Sequence, residues 1–176
     1  VYSRASVGID APLITVEVHL SNGLPCFNLV GLPEASVREA KDRVRSALIN
    51  SGFEFPAKRI TVNLAPADLP KEGGRFDLAI AIGIIAASNQ LTGNQLENIE
   101  LVGELALSGE IRSITGALPF TYACSQAKRI AILPLENAAE ASLIKHANIV
   151  PANQLVDCPI YPSDALTQTR KLQSLR

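Results

Sequence analysis

The chain has 176 residues, 47% of them hydrophobic and 19% charged, with a formal net charge of −1. That length and composition fit one domain with ample core material and exclude a disordered chain. The near-neutral balance excludes a domain that binds nucleic acid through bulk charge, so any polyanion would have to meet a local patch. Three separated cysteines (Cys26, Cys124, Cys158) without a CxxC pair, and two histidines, give neither a disulfide framework nor a zinc site, and a reducing, cytoplasmic setting is expected.

LITVEVHLS (Leu13–Ser21) alternates apolar and polar residues at period two and predicts a half-buried strand, with SNGLP as a turn and CFNLVGL as its hairpin partner. PEASVREAKDRVRSALINSG predicts a helix over Glu34–Asn50. In it Val37, Ala40, Val44, Ala47 and Leu48 share one face, and Gly52 stands at the stop. RITVNLAPA is a second strand, and FDLAIAIGIIAAS, apolar nearly all round, a buried helix. IELVGELAL and GEIRSI predict a hairpin over Ser108–Gly109, followed by a helix near Ala117–Ala127, the strand RIAILP, a short helix in ENAAEASLIKH and a last strand in NIVPA. The interleaving with hairpins reads as α+β or a mixed α/β sandwich. The run Leu78–Ala87 is too short to span a bilayer, no signal peptide opens the chain, and a start at Val1 with no Met anywhere is expected of a piece of something longer.

The stretch LPKEGGRFDLAIAIGIIAAS (Leu69–Ser88) raises the question of chemistry. A phosphate loop needs GxxxxGK[ST], and a dinucleotide fold needs GxGxxG after a strand; the chain has neither. Gly73 and Gly74 with Lys71 and Arg75 could still offer donors to an anion, but Glu72 and Asp77 already place carboxylates at the helix start. Gly73, Gly74 and Asp77 are therefore read as a structural turn, the glycines serving positive φ and close packing, with no ATP bound here.

GLPEASVREAKDRVRSALINSGFEFP, NLAPADLPKEGGRFDLAIAIGIIAAS, LVGELALSGEIRSITGAL and RIAILPLEN, in this order, resemble the N-terminal domain of the magnesium-chelatase-like AAA+ proteins, the YifB/ComM family, over essentially the whole chain. That domain is similar in fold to the proteolytic domain of Lon proteases and to the C-terminal domain of RadA/Sms recombination proteins. The resemblance implies the α+β fold called ribosomal protein S5 domain 2-like, a sandwich of mixed sheet and helices. It would span residues 1–162, with 163–176 as a linker toward a downstream AAA+ ATPase domain. Lon-type peptidases carry a serine in a PKDGPSAG box and a lysine in a GGLKEK segment, the lysine activating the hydroxyl once burial lowers its pKa. Here PKEGGRFD places Arg75 at the serine and ITGALPF places Leu118 at the lysine, and neither Ser88 nor Ser108 is positioned to substitute. No catalytic residue is expected, and the turn is expected to present Arg75.

The resemblance further implies a non-catalytic module of a bacterial hexameric AAA+ protein, a ComM-type DNA helicase in branch migration during natural transformation. ATP and Mg²⁺ would belong to the ATPase domain, with no cofactor or metal in this part. The expected partners are DNA, the protein's own AAA+ domain and further copies in a homo-hexamer, with no membrane. Candidate DNA contacts are Arg38, Lys41, Arg45, Lys71 and Arg75, although on the helix each cation has a nearby acid and an ordinary solvated face fits at least as well. A protein-interaction module and a peptidase with a rearranged dyad are the alternatives. His19, His146, Glu104 and Glu110 lack the partners a metal or acid–base site needs; Asp68 follows a strand, where catalytic carboxylates occur, but fits equally well as a cap of backbone N–H groups in the APADLP turn, and Cys124 reads as a small buried hydrophobe.

Overall fold

The computed structural model describes residues 1–91 and 96–160; the expected linker at 163–176 lies outside them. Its strands are β1 (Tyr2–Arg4), β2 (Leu13–Ser21), β3 (Cys26–Val30), β4 (Arg59–Ala65), β5 (Ile99–Leu101), β6 (Glu104–Leu105), β7 (Ile111–Arg112), β8 (Ile130–Pro134) and β9 (Ile149–Ala152). Seven of them form one sheet in the order β3-β4-β2-β1-β5-β8-β9, while β6 and β7 make a separate hairpin. Within the seven-stranded sheet β1–β2 and β2–β4 pair antiparallel, whereas β3–β4, β1–β5, β5–β8 and β8–β9 are parallel. The result is a mixed, mostly parallel sheet with helices, compatible with the α+β expectation.

The expected hairpin between β2 and Cys26–Leu32 is not formed. β4 inserts between them, pairing with β2 from Thr15↔Ala65 to Ser21↔Arg59. Ile60, Val62 and Leu64 of β4 are fully buried on the face where Ile14 and Val16 of β2 lie, whereas Cys26, Asn28 and Val30 of β3 stay exposed. Burial of the more apolar strand decides the neighbour. A parallel β3–β4 pair then requires a crossover. The crossover is helical, α1 (Ala35–Arg38) and α2 (Ala40–Asn50), where the sequence predicts one helix. The break is local: Glu39 keeps helical φ and ψ, and the Asp42 N–H donates to the Glu39 carbonyl three residues back at 3.2 Å. Gly52 ends α2 as expected, at φ 83°, with Gly52 and Phe53 N–H donating to Ile49 and Leu48 carbonyls in a Schellman arrangement.

α3 (Asp77–Ala87) is buried from Asp77 through Ile85 and packs on β2 and α2, which is why its sequence is apolar on every side. Gly83 lets it approach β2, since a Cβ there would lie 2.7 Å from Val18 Cγ2. On the opposite face sit α4 (Ala117–Gln126) and α5 (Ala138–Ala141), the latter shorter than ENAAEASLIKH predicts. β8 shows the two layers directly. Ile132 joins the core with α3, while Ala131 and Leu133 join Phe120 and Cys124 of α4 and Ala141 of α5. β1 carries no periodic signal in its three residues, yet it occupies the middle of the sheet. There the buried Arg4 guanidinium grips Glu100 of β5, which also accepts from Arg129 Nη1 at 3.3 Å. Among the described residues no helix is long and apolar enough to cross a membrane.

Candidate functional site

The turn between β4 and α3 gathers most of the residues singled out in the sequence. Gly73 adopts φ 70° and its N–H donates to Ser36 Oγ at 2.9 Å, so it needs the left-handed region. Gly74 has no positive φ, but a Cβ on it would lie 2.5 Å from Glu104 Cγ; its role is close approach. Asp77 opens α3 as expected. It also binds sideways: Arg43 Nε and Nη2 of α2 donate to its two oxygens at 2.6 and 3.1 Å, and the Leu105 N–H of β6 donates at 3.1 Å. Burial pushes this carboxyl up to about 6, against the pull of Arg43 and the Leu105 N–H.

Lys71 and Arg75 correct the expectation of surface cations. Lys71 is fully buried, its Nζ donating to the Gly31 carbonyl at 2.6 Å and to the Pro66 carbonyl. Burial draws this ammonium below its ordinary range, with Asp68 acting in the other direction. Arg75 is 7% exposed; Nε donates to the Arg4 carbonyl and Nη1 to the Thr115 carbonyl, both at 2.9 Å, and Nη2 has no hydrogen-bond partner among the described residues. Burial lowers its pKa to about 10, leaving it a cation at neutral pH. The turn folds Arg75 inward rather than presenting it. Open backbone carbonyls at the end of β1 and in the irregular segments at Gly31, Pro66 and Thr115 are the reason, because they satisfy a buried cation where no carboxylate does. Leu118, half-buried in the first turn of α4, lies three residues past Thr115, and its N–H donates to Glu140 Oε1 at 3.2 Å. The two segments that the Lon comparison pairs are thus adjacent, while neither position holds a nucleophile or a base. A cleft of about 360 Å³ opens beside the turn, and Glu72 and Glu104 flank Arg75 there with Ser6 and Ser113.

The helix cations divide. Arg38 is exposed, with Nε donating to the Pro33 carbonyl at 3.3 Å. Arg43 is turned inward to Asp77 and also meets Glu39, its i,i+4 neighbour, at 3.5 Å. Lys41 and Arg45 are exposed and line a second cleft, about 350 Å³, with Lys58, Phe27 and Phe55. The Arg45 guanidinium lies 5.9 Å from the Phe55 ring centroid. The structure therefore joins Lys41 and Arg45 to each other but to neither Lys71 nor Arg75. It adds Phe55 and Lys58, whose signal in the sequence is the cation-bearing loop FEFPAKR ahead of β4, and Phe27 of β3, which carries no such signal.

Over residues 16–137 the chain matches the family model described as subunit ChlI of magnesium chelatase. It belongs to that family. Within this ChlI-type family it is 61% identical over 157 residues to competence protein ComM of Haemophilus influenzae, covering 89% of the chain. It is 58% identical over 155 residues to the uncharacterized protein YifB of Salmonella typhimurium, and 56% identical over 155 to YifB of Escherichia coli, covering 88% of the chain in each case. The chain spans 31% of the length of each of these relatives, corresponding to their N-terminal part.

Proposed function

We propose that this chain is a non-catalytic N-terminal module of a hexameric, cytoplasmic AAA+ ATPase of the ComM type, helping that ring to engage DNA while ATP and Mg²⁺ are handled by a separate ATPase domain. Kinship with ComM supports an AAA+ family member. The observation that carries the non-catalytic reading is the state of Arg75. At the position where a Lon-type peptidase has its serine stands a buried guanidinium bonded to two backbone carbonyls, with Leu118 at the lysine position. At these two positions a hydroxyl and an amine are both missing, so the pair has nothing to attack a peptide with. DNA engagement is supported by the exposed cations Lys41, Arg45 and Lys58 around one cleft. Branch migration, as a helicase activity of the whole ring, extends the same reading.

The test compares a protein of the relatives' length with one lacking this module. Full ATP hydrolysis with weakened binding to branched DNA is the expected result; unchanged DNA binding sinks the reading. Peptidase assays on unfolded protein substrates are expected to match the buffer blank. Subunit organisation is the second reading, favoured by the free edge of β3 and the exposed Leu24 and Leu32 at either end of that strand. Deleting the module would then lower the hexamer fraction at unchanged DNA affinity per ring.

A further inference from the structure

The cleft between α2 and the loop ahead of β4 has an unusual donor set. Its charged lining is Lys41, Arg45 and Lys58, with no carboxylate among the lining residues. Its walls are Phe27, Phe55 and Pro56, and the remaining lining side chains, Pro25, Cys26 and Ala57, contribute no oxygen acceptor. The ligand that suits it is therefore made of acceptors and flat apolar faces. A peptide strand would bring N–H donors that find no side-chain oxygen here, whereas phosphate oxygens meet three cations. Arg45 stands over Phe55, offering a planar cation held at a fixed place, the kind of surface on which unstacked bases lie. In a duplex the bases are already stacked on one another, so these walls favour a single strand.

We propose that this cleft is a seat for single-stranded nucleic acid, with Lys41, Arg45 and Lys58 on successive phosphates and the Phe27–Phe55 wall against a base. The proposal deepens the DNA-engagement reading and rests on it for biological meaning. Contacts of this kind fix position rather than sequence, so binding is sequence-tolerant and falls with salt. Affinity of one copy is weak, and copies arranged in a ring multiply it.

Cys26 provides a built-in reporter. It lines the cleft and is exposed, whereas Cys124 and Cys158 are buried, so one thiol of the native 176-residue chain is open to a maleimide. Oligodeoxythymidine is expected to slow Cys26 alkylation several-fold at low salt, with much less effect from a duplex of equal length. In the variant Lys41→Glu with Arg45→Glu, affinity is expected to fall at least about tenfold and the protection to vanish, while Cys26 stays as reactive as in the wild type without ligand. An equal urea midpoint for the two chains shows that the variant is folded; if it is not, Lys58→Ala replaces it. No protection by oligodeoxythymidine, or equal protection in the variant, overturns the proposal. So does protection by a glutamate-rich peptide where the oligonucleotide gives none, which would assign the cleft to an acidic protein segment. The two readings separate cleanly. If removing the module weakens DNA binding by the longer protein but Cys26 is never protected, the cleft assignment fails alone. If Cys26 is protected but the longer protein binds DNA equally without the module, the domain-level reading fails alone.

Discussion

Lys71 and Lys41 carry the same ammonium, and the fold treats them oppositely. Lys71 follows a bent segment whose carbonyls are not used in a ladder, and Gly31 and Pro66 draw its Nζ out of water completely. Lys41 rides on α2, where the backbone carbonyls are engaged within the helix, so its charge stays in solvent beside Arg45. Arg75 and Arg45 repeat the contrast, one bonded to the Arg4 and Thr115 carbonyls and the other exposed over Phe55. A cation's role thus follows from the acceptors its backbone neighbourhood leaves open, and residue type alone says little about it.

The sharpest way to break this contrast is charge reversal on the buried side. Lys71→Glu sets a carboxylate against two carbonyls and is expected to cost about 3–5 kcal/mol, a large share of the roughly 5–15 kcal/mol that holds a domain folded. Lys71→Met, which only strands the carbonyls, is expected to cost about 1–3 kcal/mol. Urea melts read both, and a Lys71→Glu midpoint equal to wild type would refute the buried role. It follows that reversing Lys71 and Arg75 tests folding and says nothing clean about DNA.

Arg43 tests the boundary, because it shares α2 with Lys41 but points inward. Arg43→Ala leaves Asp77 buried without its partner and is expected to cost about 3 kcal/mol. Asp77 also sets a pH signature. Burial raises its carboxyl from 3.8 to about 6, so the folded chain holds that proton more tightly than the unfolded one. Its contribution is most favourable below the unfolded value and declines as pH rises through the window from about 4 to about 6, by at most about 1.4 kcal/mol per pH unit. Asp77→Asn removes this contribution, so the difference between the wild-type and variant stability curves should slope across that window and be flat above it. A flat difference throughout would show that Arg43 fully offsets the burial.

Smaller effects complete the series. Arg75→Lys keeps a charge but cannot span both the Arg4 and Thr115 carbonyls, and about 1–2 kcal/mol of loss is expected in the same melts. Lys41→Ala with Lys58→Ala should move stability by no more than about 0.5 kcal/mol, since both are exposed. A larger loss would mean that the cleft cations are structural after all.

The elements legible in the sequence are those with long periodic runs. β2 matches LITVEVHLS residue for residue, and α3 falls within the all-apolar run after the glycines. The β6–β7 hairpin over Ser108–Gly109 was legible in its turn, but the partner of β2 was not, because β4 displaces β3 from β2 through a burial preference that acts only when the sheet assembles. β1 is too short to show any period. At the candidate site, the glycine turn and Asp77 at the helix start could be read locally. The burial of Lys71 and Arg75 could not, since their acceptors include Gly31 and Thr115, each about forty residues away in the chain. The cleft is hidden as well, because its lining comes from three separate elements, with Phe27 on β3, Lys41 and Arg45 on α2, and Phe55 and Lys58 on the loop ahead of β4.

The seam between β1 and β5 bears on how the chain is made. Strands β1 to β4 all lie within the first 65 residues and can assemble as they emerge from a ribosome, but β5 begins only at Ile99. Until then the nascent half-sheet ends in a bare β1 edge, a template for pairing with a neighbouring chain. Arg4 sits on that edge with its intended partner, Glu100, not yet synthesised. A guanidinium held there only by the Ala11 carbonyl is expected to resist burial against a foreign strand, as gatekeeper charges do. The residue that locks the finished sheet would then also guard the unfinished one.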